Sequence, residues 1–426
     1  MGTEVVINAN AEILHKIPNG DFRSPLLKKE MPGLDALRGV AILAVLFYHG
    51  LHVEKVEDLP AHSTLARVVS SLLGSGWLGV FLFFVLSGFL ITGILLDSKE
   101  SPQYWQEFYV RRVLRIIPVF LLVLVILKLF FGSTWLYVLV CMVYVANLAP
   151  AFHIGGFIYS RLWSLAVEEQ FYLGWPWLVK RLNKKALACV AIGCIVLCPF
   201  LRFWSLKGFA WLGDPHRMTW LLADNLAMGA LLAILLRSKW GQLRSAKFFM
   251  WGFLALGVAI FGIGVPFGIA HWDSPVGAAL KTVPFELIFA GVLLLFLYVG
   301  GHPAVLALTR PMQFCGYISY GLYLYHGLVF MTIDRLILGP AEHKHWNGTG
   351  WFLRFSVGAS ISILVAFLSR RYFEAFFLRI GRGRRERIKL RPKPDWRGSS
   401  DPIPLYTKQQ LRTDTACPTA DYASEP

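Results

Sequence analysis

Residues 135–149, WLYVLVCMVYVANLA, decide how the chain is threaded. This is one of eleven apolar runs, and whether it crosses a membrane or turns back fixes the side on which everything after it lies. The others fall at 37–53, 77–96, 116–132, 165–179, 185–206, 218–236, 248–267, 284–300, 313–333 and 350–369. Most approach the ~20 residues that span a ~30 Å hydrocarbon core. Basic clusters stand at Arg111, Arg112 and Arg115; at Lys180, Arg181, Lys184 and Lys185; at Arg237, Lys239, Arg244 and Lys247; and from Arg370 onward. Cytoplasmic segments collect Lys and Arg, so these clusters belong on one side. An even number of crossings must then separate Arg115 from Lys180, and the run at 135–149 is left over. It is short and runs into Pro150, as a re-entrant or interfacial segment would. The expected fold is an all-α integral membrane protein with about ten transmembrane helices and one extra re-entrant or interfacial segment. It lies multi-pass in the cell membrane with both termini cytoplasmic.

Composition agrees. Of 426 residues 56% are hydrophobic and only 16% charged, with mean hydropathy +0.54, whereas soluble domains are nearer a quarter charged. The 32 Phe, 15 Trp and 15 Tyr suit a lipid-facing surface with interfacial belts. A formal charge of +16 would suggest nucleic acid in a soluble chain, but most of the 42 Lys and Arg fall in segments that this path places inside. The excess is topology, and the expected partners are membrane lipids, with no nucleic acid. Six cysteines show no CxxC or Cys/His metal spacing, so no metal is expected. The first thirty residues lack the pattern of a cleavable signal peptide. Residues 376–426 read as a basic, disordered cytoplasmic tail able to touch anionic headgroups, and residues 1–31 as a cytoplasmic N-terminal segment.

Ionisable groups inside a span cost a few kcal/mol each on insertion scales, so each needs a reason. Arg38 and His49 open the chain's first apolar run; eleven residues of helix put them on one face, about 16 Å apart. They are an anchor and an interhelical contact, or a functional pair. Arg111, Arg112 and Arg115 lie at i, i+1 and i+4 with Pro118 just beyond, so at least two share a direction. Guanidinium groups match phosphate oxygens bidentately, although the same residues also serve as ordinary inner-face anchors. In WSLAVEEQFY, 163–172, Glu168 and Glu169 stand about 100° apart on a helix, so only one easily faces a given cleft. A carboxylate there can steady a histidine, or cap a helix start with Ser164 as N-cap. Ser87 and Gly88 interrupt the bulky run VFLFFVLSGFLITG, 80–93, for close packing or for a ligand. YISYGLYLYHGL, 317–328, carries Tyr320, Tyr323 and His326, the last two on one face. Asp224, Asn225 and Glu286 add buried polarity.

Together these stretches resemble the acyltransferase-3 family of integral membrane acyltransferases. The likeness rests on LDALRG with Arg-x10-His (Arg38, His49), FFVLSGFLI, Phe108 to Pro118 with its three arginines, WSLAVEEQFY and YGLYLYH, in that order. It covers roughly 32–375, which becomes a membrane acyltransferase domain. The resemblance implies transfer of an acyl group, acetyl being expected, from acyl-CoA to a hydroxyl of an extracytoplasmic or lipid-linked glycan or similar acceptor. It implies His49, Arg38 and Glu168 as catalytic residues. Arg111, Arg112 and Arg115 would meet coenzyme A, with Ser87, Gly88 and Phe89 lining the site. Tyr323 and His326 would contact substrate, although many relatives have proline two residues after the late histidine where this chain has Leu328. Some relatives carry a fused hydrolase-like domain, for which residues 381–426 leave no room.

The chemistry follows from the residue types. A neutral imidazole at His49 takes the acceptor's proton as the hydroxyl attacks the thioester, and Glu168 steadies the ring. An acyl-histidine intermediate is the other route. The rival class is a transporter or flippase of an acylated or anionic solute, since intramembrane Arg, His and Glu also suit a proton-coupled carrier.

Overall fold

The computed structural model describes residues 22–28, 30–51, 74–150, 159, 161–209, 213–271, 274–338 and 348–381. The tail from 382 onward and the segment before 22 lie outside the described residues. Among those described, every regular element is helical. The helices are α1 (Pro32–Gly50), α2 (Leu78–Asp97), α3 (Tyr104–Phe131), α4 (Trp135–Met142), α5 (Leu162–Arg181), α6 (Lys184–Leu206) and α7 (Thr219–Leu235). They continue with α8 (Leu243–Gly264), α9 (Pro275–Leu280), α10 (Val283–Val299), α11 (Pro303–Leu308), α12 (Arg310–Tyr317), α13 (Ser319–Leu338) and α14 (Gly348–Leu368). A π-turn, Ser369–Glu374, carries α14 on towards Gly381.

Among the described residues, seven helical segments are long and apolar enough to cross a membrane: those containing α1, α2, α3, α6, α8, α10 and α14. The expected crossings at 165–179, 218–236 and 313–333 are also helices, α5, α7 and α13. Polar side chains thin the apolar content of α5 and α13, and α7 is only 17 residues long.

The decisive run is helical only over α4. Thr134 caps α4, its hydroxyl accepting from the Tyr137 N–H at 3.2 Å. The helix lasts eight residues, about 12 Å, which is far too short to cross. It ends in a turn where Tyr144 takes φ 56°, a left-handed conformation unusual for an aromatic residue. A polar network holds that turn. The Gln170 amide donates to the Tyr144 carbonyl (2.7 Å) and to Asn147 Oδ1 (3.0 Å), and accepts from the Thr219 hydroxyl (2.5 Å). Burying this backbone requires such partners.

Helices α2 and α7 pack closely. A Cβ at Gly88 would lie 1.9 Å from the Leu226 carbonyl oxygen, and one at Gly229 would lie 1.9 Å from that of Val85. Gly88 is therefore a helix-packing residue. On the far side, α8 exposes Phe248, Trp251 and Ile263, as a lipid-facing helix does.

The helix ends bearing the basic clusters meet at one end of the bundle. Arg237, after α7, grips Asp97 of α2 bidentately at 2.7 and 2.8 Å, with Arg23 3.5 Å from the same carboxylate. Lys99 donates to the Leu182 carbonyl at 2.5 Å, and Lys184 to that of Arg237 at 3.3 Å. Arg370 pairs with Glu374 at 3.2 Å in the π-turn. At the opposite end, Arg202 and Asp224 form an ion pair of 2.6 Å with both side chains fully buried. Arg202 also donates to the carbonyls of Leu221, Ala278 and Ala279 and to Thr282, joining α6, α7 and α9.

Candidate active site

Helices α1, α2, α3, α5 and α13 line a common, partly open cavity. On α2 its lining runs from Val80 to Ile91, about 16 Å of helix, so the cavity is elongated along the bundle. Arg38, Arg112 and Arg115 line it on the side of the basic end, and Ser164 and Tyr323 line it too.

The helical period explains which residues reach it. Arg112 and Arg115, at i and i+3 of α3, share a face with Phe108 and Ile116. The Arg112 guanidinium lies 3.5 Å over the ring of Tyr172 and 5.5 Å from that of Phe108. Arg111 points elsewhere: it is exposed and pairs with Glu107 at 3.2 Å on its own helix. Arg38 pairs with Asp35 at 2.7 Å. Among the described residues no carboxylate stands within ion-pair distance of Arg112 or Arg115.

Of the two adjacent acids, Glu168 faces the cavity and accepts a 2.9 Å hydrogen bond from the Ser87 hydroxyl. Glu169 does not line it, and its Oε1 is buried without a hydrogen-bond partner among the described residues. The helix begins at Leu162, so Ser164 is inside the first turn and not its N-cap. Its hydroxyl contacts that of Tyr323, which donates to the Arg161 carbonyl at 2.9 Å. Phe89 is core, 2% exposed.

His49 and His326 are absent from the cavity lining, but they meet each other. Their rings stack with centroids 5.5 Å apart and 22° between planes. His326 is fully buried; its Nδ1 lies 2.9 Å from the Leu322 carbonyl, which fixes Nδ1 as the protonated nitrogen, and among the described residues Nε2 has no hydrogen-bond partner. The Tyr323 ring is 6.0 Å from that of His326. Tyr323, which lines the cavity, thus adjoins His326, and His326 adjoins His49. The resemblance suggested Glu168 as the partner of the His49 ring; the hydrogen-bonded neighbour of Glu168 is Ser87, and the ring stacked on His49 is that of His326.

The residue after His326 also has a structural reason. Tyr159 donates to the Leu324 carbonyl at 2.9 Å, and a Cβ on Gly327 would lie 2.6 Å from the Tyr159 ring. Burial pushes the Tyr159 phenol up to about 12, so it remains a donor at neutral pH. Tyr172 escaped the sequence reading although it is four residues from Glu168, on the same face. Arg202 was missed because nothing local marks its pairing with Asp224. Among the described residues no three His, Cys, Asp or Glu side chains gather as a metal would need.

The comparisons with known proteins bear on this arrangement. A sequence family described as "Acyltransferase domain" matches residues 31–371. The peptidoglycan O-acetyltransferase OatA of Listeria monocytogenes is 28% identical over 389 residues, 82% of this chain and 56% of that protein. A Bacillus subtilis protein provisionally named a peptidoglycan O-acetyltransferase is 26% identical, covering 81% of this chain and 54% of its own length. A Staphylococcus aureus protein provisionally named an O-acetyltransferase is 25% identical, over 87% and 60%. The chain therefore spans little more than half the length of these relatives. No solved structure matches it.

Proposed function

Because the chain belongs to the acyltransferase-3 family, we propose that it is a membrane O-acyltransferase that moves an acyl group, acetyl being expected, from acyl-CoA to a glycan hydroxyl. The acceptor is a peptidoglycan-like glycan outside the membrane or on a lipid carrier, in keeping with the names of two relatives. In this reading ten helices cross the membrane, and the basic end with both termini faces the cytoplasm.

One observation carries the donor assignment: two guanidinium groups, Arg112 and Arg115, line an elongated cavity without a carboxylate partner. Cations at the rim of a low-dielectric pocket with no carboxylate in direct contact favour an anion, and the planar fork of arginine favours phosphate. Phosphates held there send the pantetheine arm along the cavity, past Glu168 and Ser87, towards Tyr323. Glu168 accepts from Ser87 and has lone pairs left for an amide N–H of the arm. The thioester then arrives at the end of the cavity nearest His326 and His49.

There His49 acts as general base. The acceptor O–H gives its proton to the imidazole as the oxygen attacks the thioester carbonyl, and collapse expels the CoA thiolate, which takes up the proton. His326, stacked on the His49 ring, holds the imidazole in place. Arg38 lies nearer the donor's phosphates than the reacting carbonyl, so its contribution is to donor charge.

The test is acyl transfer by purified protein from acetyl-CoA to a peptidoglycan fragment, read by mass spectrometry. His49→Ala is expected to abolish ester formation while leaving donor binding intact. Full transfer by that variant would show the base assignment to be wrong, and a carrier would yield neither transfer nor hydrolysis even in the native protein.

A further inference from the structure

We propose that Arg354 is a positioning residue for His49, fixing the last turn of α1 so that the imidazole holds its place beside His326. The inference rests on the reading of His49 as the base.

His49 is the penultimate residue of α1, where the final carbonyls lack helical partners. Arg354, from α14, donates through Nη1 to the Gly50 carbonyl, the one next to His49. The same guanidinium uses Nε and Nη2 to grip both oxygens of Asp334 on α13, at 2.6 and 2.7 Å. A cation at a helix C-terminus is also favoured by the helix dipole. Three helices therefore converge on one planar group: the one bearing His49, the one bearing His326, and α14.

The surroundings leave little slack. The Arg354 side chain is fully buried, and its guanidinium lies 4.7 Å from the ring centre of Phe330. A Cβ at Gly50 would come within 2.6 Å of Phe355 and 2.7 Å of Phe330, so α1 approaches both rings at van der Waals contact. Phe47 of α1 stacks on Phe355 at 4.8 Å. Being buried, Arg354 acts on the reaction only through the helices that it joins. A buried ion pair is weak evidence of stabilisation by itself, and its worth here is geometric. Catalytic geometry is demanding: a misplacement of about 1 Å can cost roughly 100-fold in rate.

The experiment uses the full chain in detergent with two readouts. Arg354→Lys keeps the charge but loses the fork, so it cannot serve Asp334 bidentately and Gly50 together; Asp334→Asn weakens the second anchor. Both are expected to lower kcat roughly tenfold or more while the KM for acetyl-CoA stays within about twofold, since neither residue lines the donor cavity. The second readout needs no turnover: His49→Cys and His326→Cys, in a background without native cysteines, are bridged by a short bifunctional thiol reagent. Bridging is expected to be efficient with Arg354 present and to fall several-fold with Arg354→Lys. Unchanged kcat and unchanged bridging in folded Arg354→Lys protein would overturn the proposal. If instead His49→Ala retained transfer, the base reading would fall, while the bridging yield would still report on the clamp.

Discussion

The three arginines of α3 offer the sharpest test, because two of them face the cavity and the third does not. Replacing Arg115 or Arg112 with alanine removes a guanidinium that, among the described residues, has no carboxylate within ion-pair distance. Its N–H groups can therefore donate to a phosphate. A charge-assisted hydrogen bond contributes ~1.5–3 kcal/mol. At 1.36 kcal/mol per factor of ten, losing one should weaken donor binding roughly 10- to 150-fold. Arg111 is 43% exposed and already paired with Glu107, an exposed i,i+4 pair of ~0.3–0.5 kcal/mol. Arg111→Ala should thus change donor affinity by no more than about twofold. The assay is titration calorimetry with CoA and with dephospho-CoA on each purified variant, at two ionic strengths. Arg115→Lys separates charge from fork: it should recover part of the loss, because an ammonium is a point charge where the guanidinium is bidentate. Equal losses at Arg111 and Arg115, or undiminished affinity in the Arg112→Ala/Arg115→Ala double variant, would refute the cavity as the donor's phosphate site.

Other consequences can be checked more simply. Gly229→Ala forces a methyl to within 1.9 Å of the Val85 carbonyl, so α2 and α7 must separate; folded yield and thermal midpoint should fall sharply. Arg202→Met leaves Asp224 as a buried, unpaired charge and should cost ~3–5 kcal/mol in a detergent or bicelle unfolding titration. The double variant Arg202→Met/Asp224→Leu, with no charge left at that pair, should recover much of the loss.

Much of this arrangement was legible in the sequence. The run at 135–149 could be set aside on loop charge alone, and α4 is indeed too short to cross. Helical period correctly separated Glu168 from Glu169, and it required at least two of Arg111, Arg112 and Arg115 to share a direction. What could not be read is contact between distant segments. Nothing near His49 announces His326, nothing near Glu168 announces Ser87, and Arg354 reads as one more basic residue until Gly50 and Asp334 are found against it. Ser164 misled for the opposite reason: a serine before two acids fits a capping pattern, yet α5 starts two residues earlier and the hydroxyl is committed to Tyr323.

The contact between Ser164 and Tyr323 has a consequence for the chain length of the group transferred. On the donor reading, the arginines anchor one end of a cofactor arm of fixed length, and the cavity becomes a gauge with its zero mark at the phosphates. An acetyl group would come to rest beneath the paired hydroxyls, whereas each added methylene must push the Ser164–Tyr323 bridge apart or fold back on Phe83 and Phe84. Widening that bridge, with Tyr323→Phe or Ser164→Ala, should therefore shift the preference from acetyl towards propionyl and butyryl donors.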